Sequence, residues 1–136
     1  MLKELARRYY LDEGCNCAET MIKALDESWH LGLKDEDSNL LGAFGGGCGC
    51  GYICGALAAC LSALGRLTIQ GNAHAPPGFR ELCSEFVRAY AQAEGGRDCK
   101  DLKAMHFKAG QRCLETVEIA CDVWEAFTLK HGIKPL

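Results

Sequence analysis

No C-x-x-C spacing occurs anywhere in this chain, although ten of its 136 residues are cysteine. That absence excludes a thioredoxin-type motif, a zinc-ribbon knuckle and covalent haem attachment, and the ferredoxin cysteine run is missing too. The glycine-rich segment lacks the Gly-Lys-Ser/Thr of a P-loop and contains no G-x-G-x-x-G, so phosphate-cradling chemistry has no motif to rest on. An excess of one charge is also lacking. Fifteen Lys and Arg oppose eighteen Asp and Glu, with a sequence pI near 5.8, which removes the attraction that nucleic acid or an anionic bilayer would need. No stretch alternates with period two, β-branched residues are scattered, and no Asn-Gly or Asp-Gly hairpin turn is present, which argues against a β fold. Residues Ser38 to Gly65 hold no charged side chain, yet the apolar run Tyr52 to Leu64 falls short of the about 20 residues that cross a membrane. Lys3, Glu4, Arg7 and Arg8 interrupt the start of the chain, so no secretory apolar core of about 7 to 15 residues forms there. The expectation is a cytoplasmic protein with neither a membrane nor a nucleic acid as partner.

What is present is enough apolar material, 49% of the chain, for one hydrophobic core, and residues 1–136 read as a single cysteine-rich helical domain. Leu2, Leu5, Ala6, Tyr9 and Tyr10 follow the rhythm of an amphipathic helix that should end near Gly14. A second helix starts at Cys17, with Asn16 as N-cap and Glu19 completing a capping box, and Gly32 should stop it. Residues 38–44 offer one or two helical turns before GGGCGCG breaks the pattern. A third main helix begins near Tyr52, and its lack of charge predicts burial on all sides. After a loop over 68–78, Phe79 to Tyr90 mark another helix, Asp98 caps a short one through about Met105, and Leu114 to Phe127 supply the stripe of the last. The fold class expected is all-α: a compact bundle of five or six helices around a central helix flanked by glycine and cysteine.

Function must be argued from sulfur. In a reducing cytosol, static disulfides rarely persist, so dense cysteine reads as metal-binding or redox-catalytic. Cys17, Cys54, Cys99 and Cys113 each fall at the start of a predicted helix. Unpaired N–H groups and the partial positive charge there favour thiolate, so the pKa of these thiols is expected below the ordinary value of about 8.5. If the four helix starts converge, they make a site for an anionic cofactor such as an iron–sulfur cluster. Gly45, Gly46, Gly47 and Gly49 would let main chain approach it closely. Cys60, Cys83 and Cys121 lie on apolar helix faces and read as small hydrophobes, while Cys15, Cys48 and Cys50 could each serve as a fifth ligand or a resolving thiol. His30, His74, His106 and His131 are scattered, and Glu81, Glu85, Glu115 and Glu118 fit solvated helix faces.

Several motifs carry a family resemblance over most of the chain. Gly14-Cys15-Asn16-Cys17-Ala18 opens a helix, Phe44 to Gly47 forms an F-G-G-G loop, and Cys54-Gly55-Ala56 follows it. Cys99-Lys100-Asp101-Leu102 places a cysteine before an acidic-leucine turn, and Cys113 opens the last helix, with Cys121 as the competing alignment. These features resemble the redox-active, cysteine-rich proteins labelled by the pattern C_GCAxxG_C_C. Ala59 stands where that pattern has its glycine, a change of one methyl group in helix packing. The resemblance implies redox activity and an iron–sulfur centre, and names no substrate.

Three functions compete. The first is a small electron-transfer or redox-sensing protein with an iron–sulfur cluster on Cys17, Cys54, Cys99 and Cys113, served by an electron donor or acceptor protein. The second is a metal-free thiol–disulfide oxidoreductase in which one cysteine attacks and a neighbour resolves. The third is a structural zinc site, although such sites usually draw paired ligands from close-spaced knuckles. Whether the protein is an enzyme stays open between them. An all-helical cytosolic chain of this size is commonly a homodimer.

Overall fold

The computed structural model describes residues 1–136 and contains no β-strand. Its helices are α1 (Leu2–Arg7), α2 (Cys17–Trp29), α3 (Asn39–Gly42), α4 (Gly55–Thr68), α5 (Phe79–Glu94), α6 (Cys99–His106) and α7 (Leu114–His131). A wider π-type turn over Arg8–Asp12 prolongs α1, and a 3₁₀ turn over Asp35–Ser38 leads into α3. The all-α expectation therefore holds, but there are seven α-helices rather than five or six. The extra one is α3, a single turn that the glycine-rich segment cuts off before it can merge with α4.

Local chemistry accounts for the ends. At α2 the Asn16 side chain accepts from the Glu19 N–H at 2.9 Å while the Glu19 carboxylate accepts from the Asn16 N–H at 3.0 Å, the reciprocal capping box that the sequence predicts. Its far end comes earlier than expected. His30, not Gly32, takes the first left-handed conformation (φ 56°), and Asp26 steadies the reversal by accepting from the Leu33 N–H at 3.0 Å. Gly95 and Gly132 end α5 and α7 in left-handed conformations, where a missing Cβ removes the steric penalty.

Twenty-seven buried residues form one contiguous apolar cluster drawn from every α-helix. Helix α4 packs against α2, α3, α5 and α7, and residues 54–60 are enclosed without a break. Its second half is not. Ser62 and Arg66 reach solvent, so burial on all sides describes only the first half of the helix. The chain lacks charge before Arg66 because the glycine loop and the α4 start need none, not because the whole helix is interior. At the opposite end of the core Phe86 meets Phe127 edge-on at 5.0 Å, and Trp29 meets Trp124 edge-on at 5.3 Å. No helix is long and apolar enough to cross a membrane.

Leu57 is fully buried, so Leu57→Ala should destabilise the fold by about 2 to 5 kcal/mol through lost burial and the cavity left behind. Leu61 is only partly buried and should lose less than Leu57 when cut back to alanine. Urea denaturation of the two variants measures the contrast; equal losses would contradict this placement of α4.

Candidate functional site

Four cysteines stand at four helix starts. Cys17 and Cys99 are the first residues of α2 and α6, and Cys54 and Cys113 occupy the N-cap positions of α4 and α7. The chain brings these starts together by identifiable contacts. Segments 52–54 and 97–99 pair in antiparallel fashion, the Cys54 N–H donating to the Arg97 carbonyl at 2.8 Å and the Cys99 N–H to the Tyr52 carbonyl at 2.6 Å. Gly55 lets α4 close on α2: a Cβ there would lie 2.7 Å from Cys17 Sγ and 2.8 Å from the Phe44 carbonyl oxygen. Gly47 is buried with φ 63°, and a Cβ on it would lie 2.6 Å from Cys99 Cβ and 2.5 Å from the Tyr52 nitrogen. Cys113 is held from the other side, where its N–H donates to the Tyr10 hydroxyl at 3.0 Å. Arg112 stacks 3.8 Å above the Tyr10 ring and donates to the carbonyls of Tyr10 and Cys15.

The sulfurs are close enough to act on one another's ionisation. Cys99 and Cys17 interact, as do Cys17 and Cys54, and Cys113 feels both Cys17 and Cys99. Burial pushes the Cys17 thiol up, opposed by the backbone N–H groups of Gly46, Ala18 and Ala56. Burial pushes Cys54 up to about 12, with a thiolate at Cys17 adding to the rise, while the Tyr90 hydroxyl and the N–H groups of Leu57 and Ala56 oppose it. Cys113 is also raised, first by burial and then by the neighbouring thiols. The expected lowering of these pKa values is thus overturned at Cys17, Cys54 and Cys113. Helix-start N–H groups do reach Cys17 and Cys54, but desolvation outweighs them because the same helix starts that supply the donors also exclude water.

The glycines divide in two. Gly45 has no room for a side chain against Asn16, Gly47 none against Cys99, and Gly46 supplies a donor to Cys17. Gly49 is exposed, with no atom within 4 Å of where a Cβ would stand. Cys48 and Cys50 are exposed on the same loop, Cys48 itself in a left-handed conformation at φ 62°. Cys15 is buried and close to Cys17 in sequence, but burial and the charges of Lys23, Glu19 and Glu13 set its ionisation, not the other thiols. Cys121 lies in the core with its Sγ 3.9 Å from Met21 Sδ, and its charged neighbours are Glu125, Asp122, Lys3 and Glu118; it is Cys113 whose ionisation feels Cys17 and Cys99. No three His, Cys, Asp or Glu side chains are arranged around a single point that could hold one metal ion.

Sequence reasoning missed Tyr10, Arg112, Tyr90 and Glu94. Tyr90 bonds Cys54 Sγ through its hydroxyl at 3.2 Å, and Glu94 lies one turn further along α5, fully buried. Only a charge at a position one turn beyond Tyr90 on an apolar stripe could have signalled Glu94. Nothing marked Arg112.

No solved structure matches the chain. A protein of Archaeoglobus fulgidus named "Uncharacterized protein" is 27% identical over 127 residues, an alignment covering 83% of this chain and 84% of that relative. The family described as "Putative redox-active protein (C_GCAxxG_C_C)" matches residues 15–127, a span that contains all four helix-start cysteines and the glycine loop between them. The match covers most of the chain, and the chain belongs to the C_GCAxxG_C_C redox-active protein family.

Proposed function

We propose that the protein is a small electron-transfer or redox-sensing protein in which Cys17, Cys54, Cys99 and Cys113 hold an iron–sulfur cluster. The observation that carries this reading is the meeting of four helix starts, each bringing one cysteine, with backbone N–H groups of Gly46, Ala18 and Ala56 directed to Cys17 and those of Ala56 and Leu57 to Cys54. Hydrogen bonds to sulfur, burial and low polarity are the means by which a protein tunes such a centre. The donor set suits a cluster better than zinc. Structural zinc sites usually draw paired ligands from close-spaced knuckles, whereas the four cysteines here come from the starts of four separate helices. A multi-iron cluster takes its thiolates at separate corners of a larger body. When bound, it supplies one-electron exchange.

The chain's own contribution is to hold the sulfurs, to direct N–H groups at them and to keep water away. The exposed Cys48–Gly49–Cys50 loop and Tyr52 beside it form the face through which an electron donor or acceptor protein would approach. That same exposed pair favours the second reading, a metal-free thiol–disulfide oxidoreductase. Against it, the raised pKa of Cys17, Cys54 and Cys113 leaves little nucleophilic thiolate at neutral pH, whereas metal binding deprotonates a thiol outright.

Iron and acid-labile sulfide analysis after anaerobic purification tests the reading, and both should be present with visible absorbance. Cys54→Ser should abolish or reshape that absorbance and retain most far-UV helicity, because apolar burial carries most of the folding energy at this size. Iron-free protein whose disulfide turnover is lost in Cys54→Ser would establish the second reading instead. Unchanged iron content and absorbance in Cys54→Ser would remove Cys54 from the site.

A further inference from the structure

Free cysteine is among the most buried of residues, and packing gives no reason for one that faces water. Cys48 and Cys50 are both exposed on the loop between α3 and α4, while Cys54, Cys60 and Cys121 are buried. Their backbone is unusual as well. Residues 46–49 run consecutively through the left-handed region, with φ of 64°, 63°, 62° and 72°. Glycine occupies three of these four positions, and the other carries a thiol. A side chain kept where glycine would sit without strain, and kept in solvent, points to chemistry at its sulfur.

The spacing suits a pair. Gly49, between the two cysteines, has φ 72° and ψ 4°. A residue with helix-like dihedrals of either hand keeps the Cα atoms on its two sides about 5.5 Å apart, within the range of about 4.4 to 6.8 Å that a disulfide spans. An extended residue would hold them about 7 Å apart, beyond that range. Gly49 has no side chain and open space beside it, so the loop is free to take the small rotation that aims the two Sγ atoms at each other. Cys50 Sγ already turns back across the loop and donates to the Gly47 carbonyl at 3.6 Å.

The pair stands apart from the buried cysteines. The thiols that act on the ionisation of Cys17, Cys54 and Cys113 come from within that group and from Cys99, not from Cys48 or Cys50. We propose that Cys48 and Cys50 form a second, exposed redox site, a dithiol that reduces accessible disulfides and closes to a disulfide within the loop. This goes beyond the cluster reading and does not rest on it.

The step balances. One cysteine of the pair, as thiolate, attacks a sulfur of the substrate disulfide, and the substrate S–S bond breaks. One substrate thiolate leaves and takes up the proton that the cysteine gave up, and a mixed disulfide joins the loop to the other half. The second cysteine attacks the loop sulfur of that mixed disulfide, the Cys48–Cys50 bond forms, and the second substrate thiolate leaves with a proton. One S–S bond breaks and one forms, and two electrons and two protons pass to the substrate.

The test takes the reduced, anaerobically purified protein with glutathione disulfide as the probe, followed by an acid quench, alkylation of the remaining thiols and tandem mass spectrometry of the peptide that spans the loop. Wild type should release two glutathione thiols per chain and show a Cys48–Cys50 disulfide, with Cys54 and Cys60 alkylated. Cys48→Ser and Cys50→Ser should each stop at the mixed disulfide, releasing one thiol and retaining one glutathione. The double variant should react at least tenfold more slowly and keep the iron content and far-UV helicity of wild type, while Cys54→Ser should react as wild type does. Reduction of insulin under the same conditions would extend the substrate to protein disulfides, and reaction with glutathione disulfide alone would restrict it to small ones. Undiminished reaction in the double variant, a disulfide from the loop to Cys54 or Cys99, or loss of the reaction in Cys54→Ser would overturn the proposal. Loss of iron from the double variant would make the pair part of the buried site and overturn it equally. Iron-free wild type that still forms the Cys48–Cys50 disulfide would remove the cluster reading and leave this one standing.

Discussion

Gly47→Ala should dismantle the cysteine site, and Gly49→Ala, two residues along the same loop, should not. Both glycines have positive φ, 63° and 72°, so alanine at either meets the same backbone penalty of about 1 to 2 kcal/mol. What differs is the space beside them. An alanine methyl at Gly47 would press on the Tyr52 backbone and on Cys99 Cβ, whereas at Gly49 it would meet nothing within 4 Å. The obstruction at Gly47 is main chain, which cannot swing aside like the tip of a flexible side chain. Tyr52 is moreover the residue whose carbonyl accepts the Cys99 N–H, and the Gly47 carbonyl accepts the Tyr52 N–H at 2.9 Å. Relief must therefore come from separating the loop from α6, which carries Cys99 away from Cys17. Overpacking of this kind adds about 1 to 3 kcal/mol to the backbone penalty. Gly47→Ala is expected to unfold at markedly lower urea and, on the cluster reading proposed above, to lose iron and visible absorbance, while Gly49→Ala loses only the smaller amount of stability and, on that reading, retains the iron. Equal losses in the two variants would show that the loop serves conformation alone and that its contact with Cys99 has no role in the site.

The helix starts are legible in the sequence because capping is local. Asn16 and Glu19 announce the first residue of α2 with three residues of context, and Asp98 marks that of α6 by residue type, although its side chain makes no capping hydrogen bond there. Placing Cys17, Cys54, Cys99 and Cys113 at helix starts therefore needs no knowledge of the tertiary fold. Their ionisation does. A helix start in water lowers a thiol pKa, but these starts face one another, and the mutual exclusion of water that follows is a property of packing between segments as distant as residues 17 and 99. The same limit hides Tyr90 and Glu94. On α5 they follow Phe86 at spacings of four, so the pattern marks a buried stripe, and only the docking of α6 shows that its last member is a carboxyl beside a histidine. The separate turn of α3 falls within residues 38–44, where the sequence allows one or two turns, because glycine decides its length.

Stability should fall as pH rises from about 4.5 to about 8, and Glu94 is the group responsible. Its folded pKa is raised from 4.5 to about 8, chiefly by burial. In this window the unfolded chain has released the Glu94 proton while the folded chain still holds it, so the native state binds the extra proton and loses stability with each step up in pH. The full benefit of the protonated carboxyl is present below the unfolded value and is gone once pH passes the folded value. One pKa unit corresponds to about 1.4 kcal/mol, so the change across the window is about 3 to 5 kcal/mol, a large share of the stability of a domain this size. Cys54, pushed up to about 12, begins to differ from the unfolded chain only near its ordinary value of 9.0 and leaves this window untouched. Glu85 and Glu115 are lowered by their His and Lys partners, so their contributions are present above the ordinary value of 4.5 and are lost as pH falls below it. The contrast with Glu94→Gln isolates the Glu94 contribution. The amide that this substitution introduces is neutral at every pH, so urea denaturation at pH 5 should find the variant near wild type, and at pH 9 should find it the more stable by about 3 to 5 kcal/mol. A difference between the two proteins that does not change with pH would mean that Glu94 is ionised throughout, with His106, whose Nε2 stands 3.6 Å from Glu94 Oε1, as the cation beside it.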